Sequence, residues 1–365
     1  MLADLGLTHF RLSIEWARIE PEENRVDGAA LDHYRRVLEA AQARGVTAWV
    51  NLHHFALPRW FAAKGGFRCE ENLGDWRRHV ERVATALTPL ADYWHPINEA
   101  NAYAAGAYLI GLMPPGVRDF DAFQTILRNT LLVYRDAYAI LKTARPGVQV
   151  GPIHAMIPVF PVDPTSEADR LLADNFDMLF NDLVLRALRD GVVALPGRDP
   201  EPIAGLAGTA DFFGVNYYAS AGIDHRRADQ LTPYPPGQRL TQLGNSVYPE
   251  GLRLVLQRVR DAQLGMPIYV TENGIGTDDD AWRIEYIAQH LSQVGAAIAD
   301  GCDVRGYFHW TSVDNFEWHH GWTAQFGLIA FDPQTFARHP KASARVLGAI
   351  ARRNALLPDD GLSTR

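Results

Sequence analysis

Cysteine is nearly absent, with Cys69 and Cys302 the two among 365 residues. That scarcity excludes a disulfide-stapled scaffold, and with no Asn-x-Ser/Thr acceptor anywhere it fits a reducing, cytoplasmic setting. Long apolar runs are missing too. The longest uncharged stretches, Ala100–Val117 and Pro146–Val162, are broken by Gly or Pro, and Met1-Leu2-Ala3-Asp4 has no basic region leading into an apolar run. Neither a spanning helix nor a signal peptide is expected, and no membrane partner. There is no Lys/Arg block, and a formal charge of −8 argues against nucleic acid or anionic lipid as the partner. Gly-x-x-x-x-Gly-Lys, Gly-x-Ser-x-Gly and His-Glu-x-x-His are all lacking, so no phosphate cradle, serine elbow or zinc site is expected. No metal and no cofactor is called for.

What is present is a 47% hydrophobic chain able to bury a large core. Seven runs rich in β-branched and aromatic residues read as strands: Thr8–Ile14, Val46–Leu52, Asp92–Asn98, Val148–His154, Asp211–Tyr218, Pro267–Glu272 and Val304–Trp310. Between them, apolar spacing predicts helices over Leu31–Ala41, Trp76–Leu87, Leu172–Leu183 and Leu252–Val259. Such alternation implies a parallel α/β sheet with helices outside it. Strand after strand ends in chemically capable residues, which favours a (β/α)8 barrel over an open sheet, because barrel strands converge on one site. The chain is expected to be a single barrel domain over 1–365. Leu2–Leu7 reads as the last turn of a helix stopped by Gly6 and leading into a strand. On that reading the barrel is incomplete, lacking the first strand and most of the first helix, and its open edges invite self-association.

Glu99 and Glu272 each end an expected strand and each adjoin an Asn, Asn98 and Asn273. Paired carboxylates across one pocket are what glycosidic cleavage needs, one protonating the leaving oxygen while the other attacks or activates water. A lone Asn-Glu is usually a surface or ion-paired carboxylate; two such pairs at strand ends of one barrel are harder to explain that way. Arg11, in a strand that reads as buried, needs a partner, either a catalytic carboxylate or an acid such as Glu15. Trp310–Trp318 gathers two indoles, Asp314, Asn315 and Glu317, the kit for sugar C–H faces and hydroxyls. The pairs His53-His54 and His319-His320 suggest hydrogen bonding by one member of each pair rather than a metal, since neighbours in a strand face opposite ways.

Taken together, these motifs resemble glycoside hydrolase family 1, the β-glucosidase family. The matching segments are Phe10–Ile19, Asn51–Pro58, Ile97-Asn98-Glu99, Phe213–Tyr218, Val270–Gly274 and Trp310–Trp318, in family order along nearly the whole chain. The resemblance implies a retaining β-glycosidase with Glu272 as nucleophile and Glu99 as acid/base, carboxyls ~5 to 5.5 Å apart. Glu272 would be kept charged by Arg11 and Tyr218, while apolar surroundings raise the pKa of Glu99. It further implies that Asn98 meets the sugar 2-hydroxyl and His54 neighbouring hydroxyls. Glu317 would meet the 4- and 6-hydroxyls, Trp310 and Trp318 would serve as platform and partner, and Asn216 would lie near the acid/base. The expected partner is a small-molecule β-glycoside, glucoside-like and neutral, since a carboxylate at Glu317 repels a phosphate. The alternative is a silent family 1-like barrel that binds sugar or a protein. Two departures concern the site: Phe55-Ala56 follows His54 where the family has Trp-Asp, and Ala100 follows Glu99 where it has Pro.

Overall fold

A computed structural model describes residues 1–227 and 230–361. Each of the seven expected runs holds a strand: β1 (His9–Ser13), β2 (Thr47–Asn51), β3 (Tyr93–His95), β4 (Gln149–Val150), β5 (Ile153–Ala155), β6 (Phe213–Asn216), β7 (Ile268–Asn273) and β8 (Val304–His309). Seven runs give eight strands because Val148–His154 is interrupted at Gly151-Pro152. Proline has no N–H for the ladder, and a Cβ on Gly151 would lie 2.3 Å from the Phe212 carbonyl oxygen. Among the described residues, hydrogen bonding forms two open four-stranded sheets, β1-β2-β3-β4 and β8-β7-β6-β5, rather than one closed ring. The register of the first sheet runs parallel from His9 opposite Thr47 to Ser13 opposite Asn51.

β1 and β8 stand at the ends of their sheets and are only partly buried, whereas β2 beyond Thr47 and all of β6 are buried. The reading of the Arg11 strand as buried is therefore corrected: Arg11 is half-buried, as expected of an end strand.

The chain falls into two compact units. The second unit, Thr8–His154 with Arg186–Gly214, carries helices Gly28–Gln42, Leu73–Leu87 and Phe120–Ala144. Asp27 caps the first of these by accepting from the backbone N–H groups of Ala29 and Ala30. The second buries Trp76, Val80, Val83 and Leu87, the stripe that spacing predicts. Phe120–Ala144, 25 residues long, is not singled out by that argument; it starts at the Asp119 cap and takes the Trp76 indole N–H on its Val133 carbonyl.

The first unit comprises Met1–Leu7, Ala155–Leu185 and Val215–Arg365. Its helices Asp280–Ala299 and Ala342–Arg353 enclose a cluster of Ile287, Leu328, Ile329, Ala344 and Leu347, against which Leu2, Leu5 and Leu7 pack. Leu2–Leu5 is a helical turn closed by Gly6 at φ 89°, as the sequence suggests. A Cβ on Gly348 would come within 1.8 Å of the Leu5 carbonyl, and Arg352 Nη1 donates to that same oxygen at 2.8 Å. A small sheet, Val159–Pro161, Ser220–Ile223 and Thr232–Tyr234, and a hairpin of β9 (Ile329–Phe331) and β10 (Arg338–Pro340) complete this unit.

Candidate active site

In the second unit β1 and the segments that follow β2 and β3 bring three of the expected residues together, Arg11, His54 and Asn98. Arg11 Nε donates to His95 Nε2 at 2.9 Å, and its Nη2 donates to Asn98 Oδ1 at 2.5 Å. The Asn98 amide nitrogen lies 3.4 Å from His54 Nε2, and its backbone N–H donates to the His53 carbonyl. Burial, followed by the positive charge of Arg11, holds the His54 imidazole well below its usual range, so it is neutral at pH 7. His95 is lowered for the same reasons. His53 faces the opposite way, into Phe67 and Tyr103, with ring centroids 5.3 and 4.9 Å distant. One histidine of the pair thus reaches the polar cluster and the other the aromatic core, in the loop just past the end of β2.

Asn98 is fully buried and Glu99 is 8% exposed. Glu99 has φ 49°, a left-handed conformation that costs a non-glycine residue about 1–2 kcal/mol, and it opens the short helix Ala100–Ala104. Such strain is typical of a side chain held in position for a task.

In the first unit, Glu272 is the penultimate residue of β7 and is 3% exposed. The Tyr218 hydroxyl donates to its Oε2 at 2.5 Å, and the Tyr217 N–H donates to its carbonyl at 3.0 Å. Behind it, Asn273 donates from Nδ2 to the Tyr217 carbonyl at 2.7 Å and to the Tyr286 hydroxyl at 2.9 Å, and accepts from the Tyr307 hydroxyl at 2.8 Å. Asn216 accepts from the Thr271 hydroxyl at 2.7 Å. This scaffold fixes the ends of β6 and β7 against each other. Gly274 is required beside it, since a Cβ there would fall 1.8 Å from the Trp310 carbonyl oxygen.

Past the end of β8, the Trp310 indole N–H lies 3.4 Å from Glu317 Oε2, and Asn315 Nδ2 donates to the same oxygen at 2.8 Å. Burial raises the Glu317 pKa; the hydrogen bonds from Asn315 and Trp310 oppose the rise and the charge of Glu272 adds to it. Trp318 follows, half-buried, in a tight turn at φ 47°. His319 and His320 lie ring to ring at 4.0 Å. Among the described residues, the one group with metal-ligating spacing is Asp169, Asp224 and His225. Neither histidine pair belongs to it.

Sequence reasoning missed His95, Tyr286 and Tyr307. The signal for Tyr286 is a buried polar stripe, Arg283, Tyr286 and His290, at helical spacing on Asp280–Ala299.

Two buried carboxylates at strand ends, one clasped by a tyrosine, suit proton transfer and nucleophilic attack. The model for glycosyl hydrolase family 1 matches residues 1–356. The chain belongs to glycosyl hydrolase family 1. Among its curated relatives is a 6-phospho-beta-galactosidase of Leptotrichia buccalis, 28% identical over 398 residues, spanning 93% of this chain and 84% of the relative. A beta-glycosidase from Pyrococcus horikoshii is 36% identical with a TM-score of 0.89, covering 99% of this chain and 85% of that one. A family 1 β-glucosidase from Thermotoga maritima superposes with a TM-score of 0.91 at 26% identity, covering 98% and 85%. These family 1 neighbours are (β/α)8 barrels. The protein is accordingly a glycoside hydrolase, and among its described residues no helix is long and apolar enough to cross a membrane.

Proposed function

We propose that this family 1 hydrolase cleaves neutral β-glycosides with retention, Glu272 attacking the anomeric carbon and Glu99 serving as acid and then base. The observation that carries the reading is the Tyr218 hydroxyl donating to a nearly buried Glu272 carboxylate. A hydrogen bond donated to the carboxylate fixes its orientation for attack. In the first step a Glu272 oxygen bonds to the anomeric carbon, the bond to the leaving oxygen breaks, and the Glu99 proton passes to that oxygen. In the second, Glu99 takes a proton from water, whose oxygen displaces Glu272. Asn98 and His54, joined through the Arg11 cluster, are assigned to sugar hydroxyls, as are Glu317 and Trp310, with Trp318 as their partner. Asn216 acts by holding Thr271 next to Glu272.

The name of the Leptotrichia relative raises a phosphorylated sugar as the substrate. Glu317 argues against it, because a carboxylate whose charge burial already disfavours repels a phosphate dianion at close range. Aryl β-glucoside turnover, its loss in Glu272→Ala and its return with azide as an inverted glycosyl azide test the assignment. Turnover of an aryl 6-phosphogalactoside above that of the neutral glycosides overturns the neutral-sugar reading, and full activity in Glu272→Ala overturns the nucleophile.

A further inference from the structure

The loop that carries Glu317 continues into a row of exposed aromatic rings. Phe316, next to Glu317, lies 6.0 Å from Trp322; Trp322 lies 5.7 Å from Phe331, and Phe331 5.9 Å from Phe336. Phe316, Trp322 and Phe336 are 57%, 46% and 64% exposed. Contiguous apolar surface of this kind on a folded chain marks a place where something binds. Phe336 is the more telling because it sits at φ 59°, a conformation that costs a bulky residue free energy, and yet presents its ring to water.

The rings stand on ordered turns. Glu317 N–H donates to the Gly321 carbonyl at 2.7 Å. In the β9–β10 turn, Asp332 accepts from Gln334 N–H and the Thr335 hydroxyl, and its carbonyl accepts from Phe336 N–H at 2.8 Å. A surface ordered in advance loses little freedom on binding. At the start of the row Asn315 gives its amide to Glu317, while its buried Oδ1 has no hydrogen-bond partner and is left as an acceptor for a hydroxyl. Arg338, over the Phe331 ring at 5.4 Å, adds a cationic hydrogen-bonding group beside the row. Apolar faces with uncharged and cationic hydrogen-bonding groups beside them match a neutral sugar.

We propose that this row binds a second sugar unit, joined to the 4- or 6-hydroxyl of the one held at Glu317, so that the enzyme releases disaccharides whole from their β-glycosides. This rests on the reading of Glu317 as a sugar-holding carboxylate; the row itself is argued from its exposure and its continuity with that loop.

The test gives the wild-type enzyme p-nitrophenyl β-glucoside, β-cellobioside and β-gentiobioside. With at least one disaccharide glycoside, nitrophenol and intact disaccharide should appear together without a lag. Trp322→Ala and Phe336→Ala should raise KM for that substrate about tenfold while leaving the glucoside constants unchanged. Glucose released first, with nitrophenol lagging, or equal effects on both substrate classes, overturns the proposal. So does sedimentation showing that either variant dissociates a dimer, which makes the row a contact between copies. If the wild type turns over none of the three, the catalytic assignment has failed, and the row is then read by titration with a thio-linked cellobioside followed by tryptophan fluorescence. Tighter binding than glucose, lost in Phe336→Ala, supports the row; equal binding overturns it.

Discussion

Acid should unfold this protein well above the pH at which its carboxylates titrate. His53, His79, His290 and His309 are enclosed, and burial lowers each pKa from 6.5 to about 3. Two lie in each unit. The folded state holds them neutral, while the unfolded chain takes up protons as pH falls below about 6.5, so this stability is complete above that value and declines on the way down to about 3. At pH 5.5 each imidazole costs about 1.4 kcal/mol relative to pH 7.5 or above, and the four together about 5–6 kcal/mol. That matches much of the ~5–15 kcal/mol that a folded protein has in all. His54 and His95 move the balance the same way. His79 isolates the effect: its ring stacks on Trp16 at 4.8 Å, and neither ring nitrogen has a hydrogen-bond partner. His79→Phe keeps the ring contact and removes the proton site. Urea unfolding followed by tryptophan fluorescence at pH 7.5 and 5.5 should show the wild-type midpoint falling steeply, with the variant's advantage at pH 5.5 exceeding that at 7.5 by about 1.4 kcal/mol. Equal midpoints at the two pH values, or an advantage independent of pH, would refute the reasoning.

Gly348→Ala should destabilise the first unit by about 1–3 kcal/mol, since the added methyl meets the Leu5 carbonyl; thermal unfolding checks it, and an unchanged Tm contradicts the contact. The half-exposed end strands β1 and β8 should promote self-association, so light scattering is expected to report a species larger than one chain, and a monodisperse monomer argues against it.

The strands were legible because buried parallel strands are written in β-branched and aromatic residues, and their ends because chemistry collects there. The Tyr218 hydroxyl meets Glu272, and Asn98 meets Arg11 and His54, so residues picked out by separate motifs become neighbours. Less legible was what depends on long-range fit. The stretch Val148–His154 reads as one strand, yet the Phe212 backbone approaches Gly151 and Pro152 withholds a donor, so it is two. Arg11 also donates to His95 and Asn98, two partners that charge arguments about a guanidinium do not single out. Tyr286 and Tyr307 meet Asn273 from a helix and a neighbouring strand, and no local pattern announces such a meeting.

The clasp between Leu5 and Arg352 joins residues 347 positions apart. At about 5–20 residues per second, a ribosome needs roughly 17–70 s to travel between them. During that interval Leu2, Leu5 and Leu7 lack the Ala344 and Leu347 side of their cluster, and their apolar side chains stay uncovered. The second unit, which lies mostly between them in the chain, has time to fold before the first unit can close. Chaperone demand should therefore concentrate on these leucines, and a ribosome stalled ahead of Ala342 would leave them exposed for as long as the stall lasts.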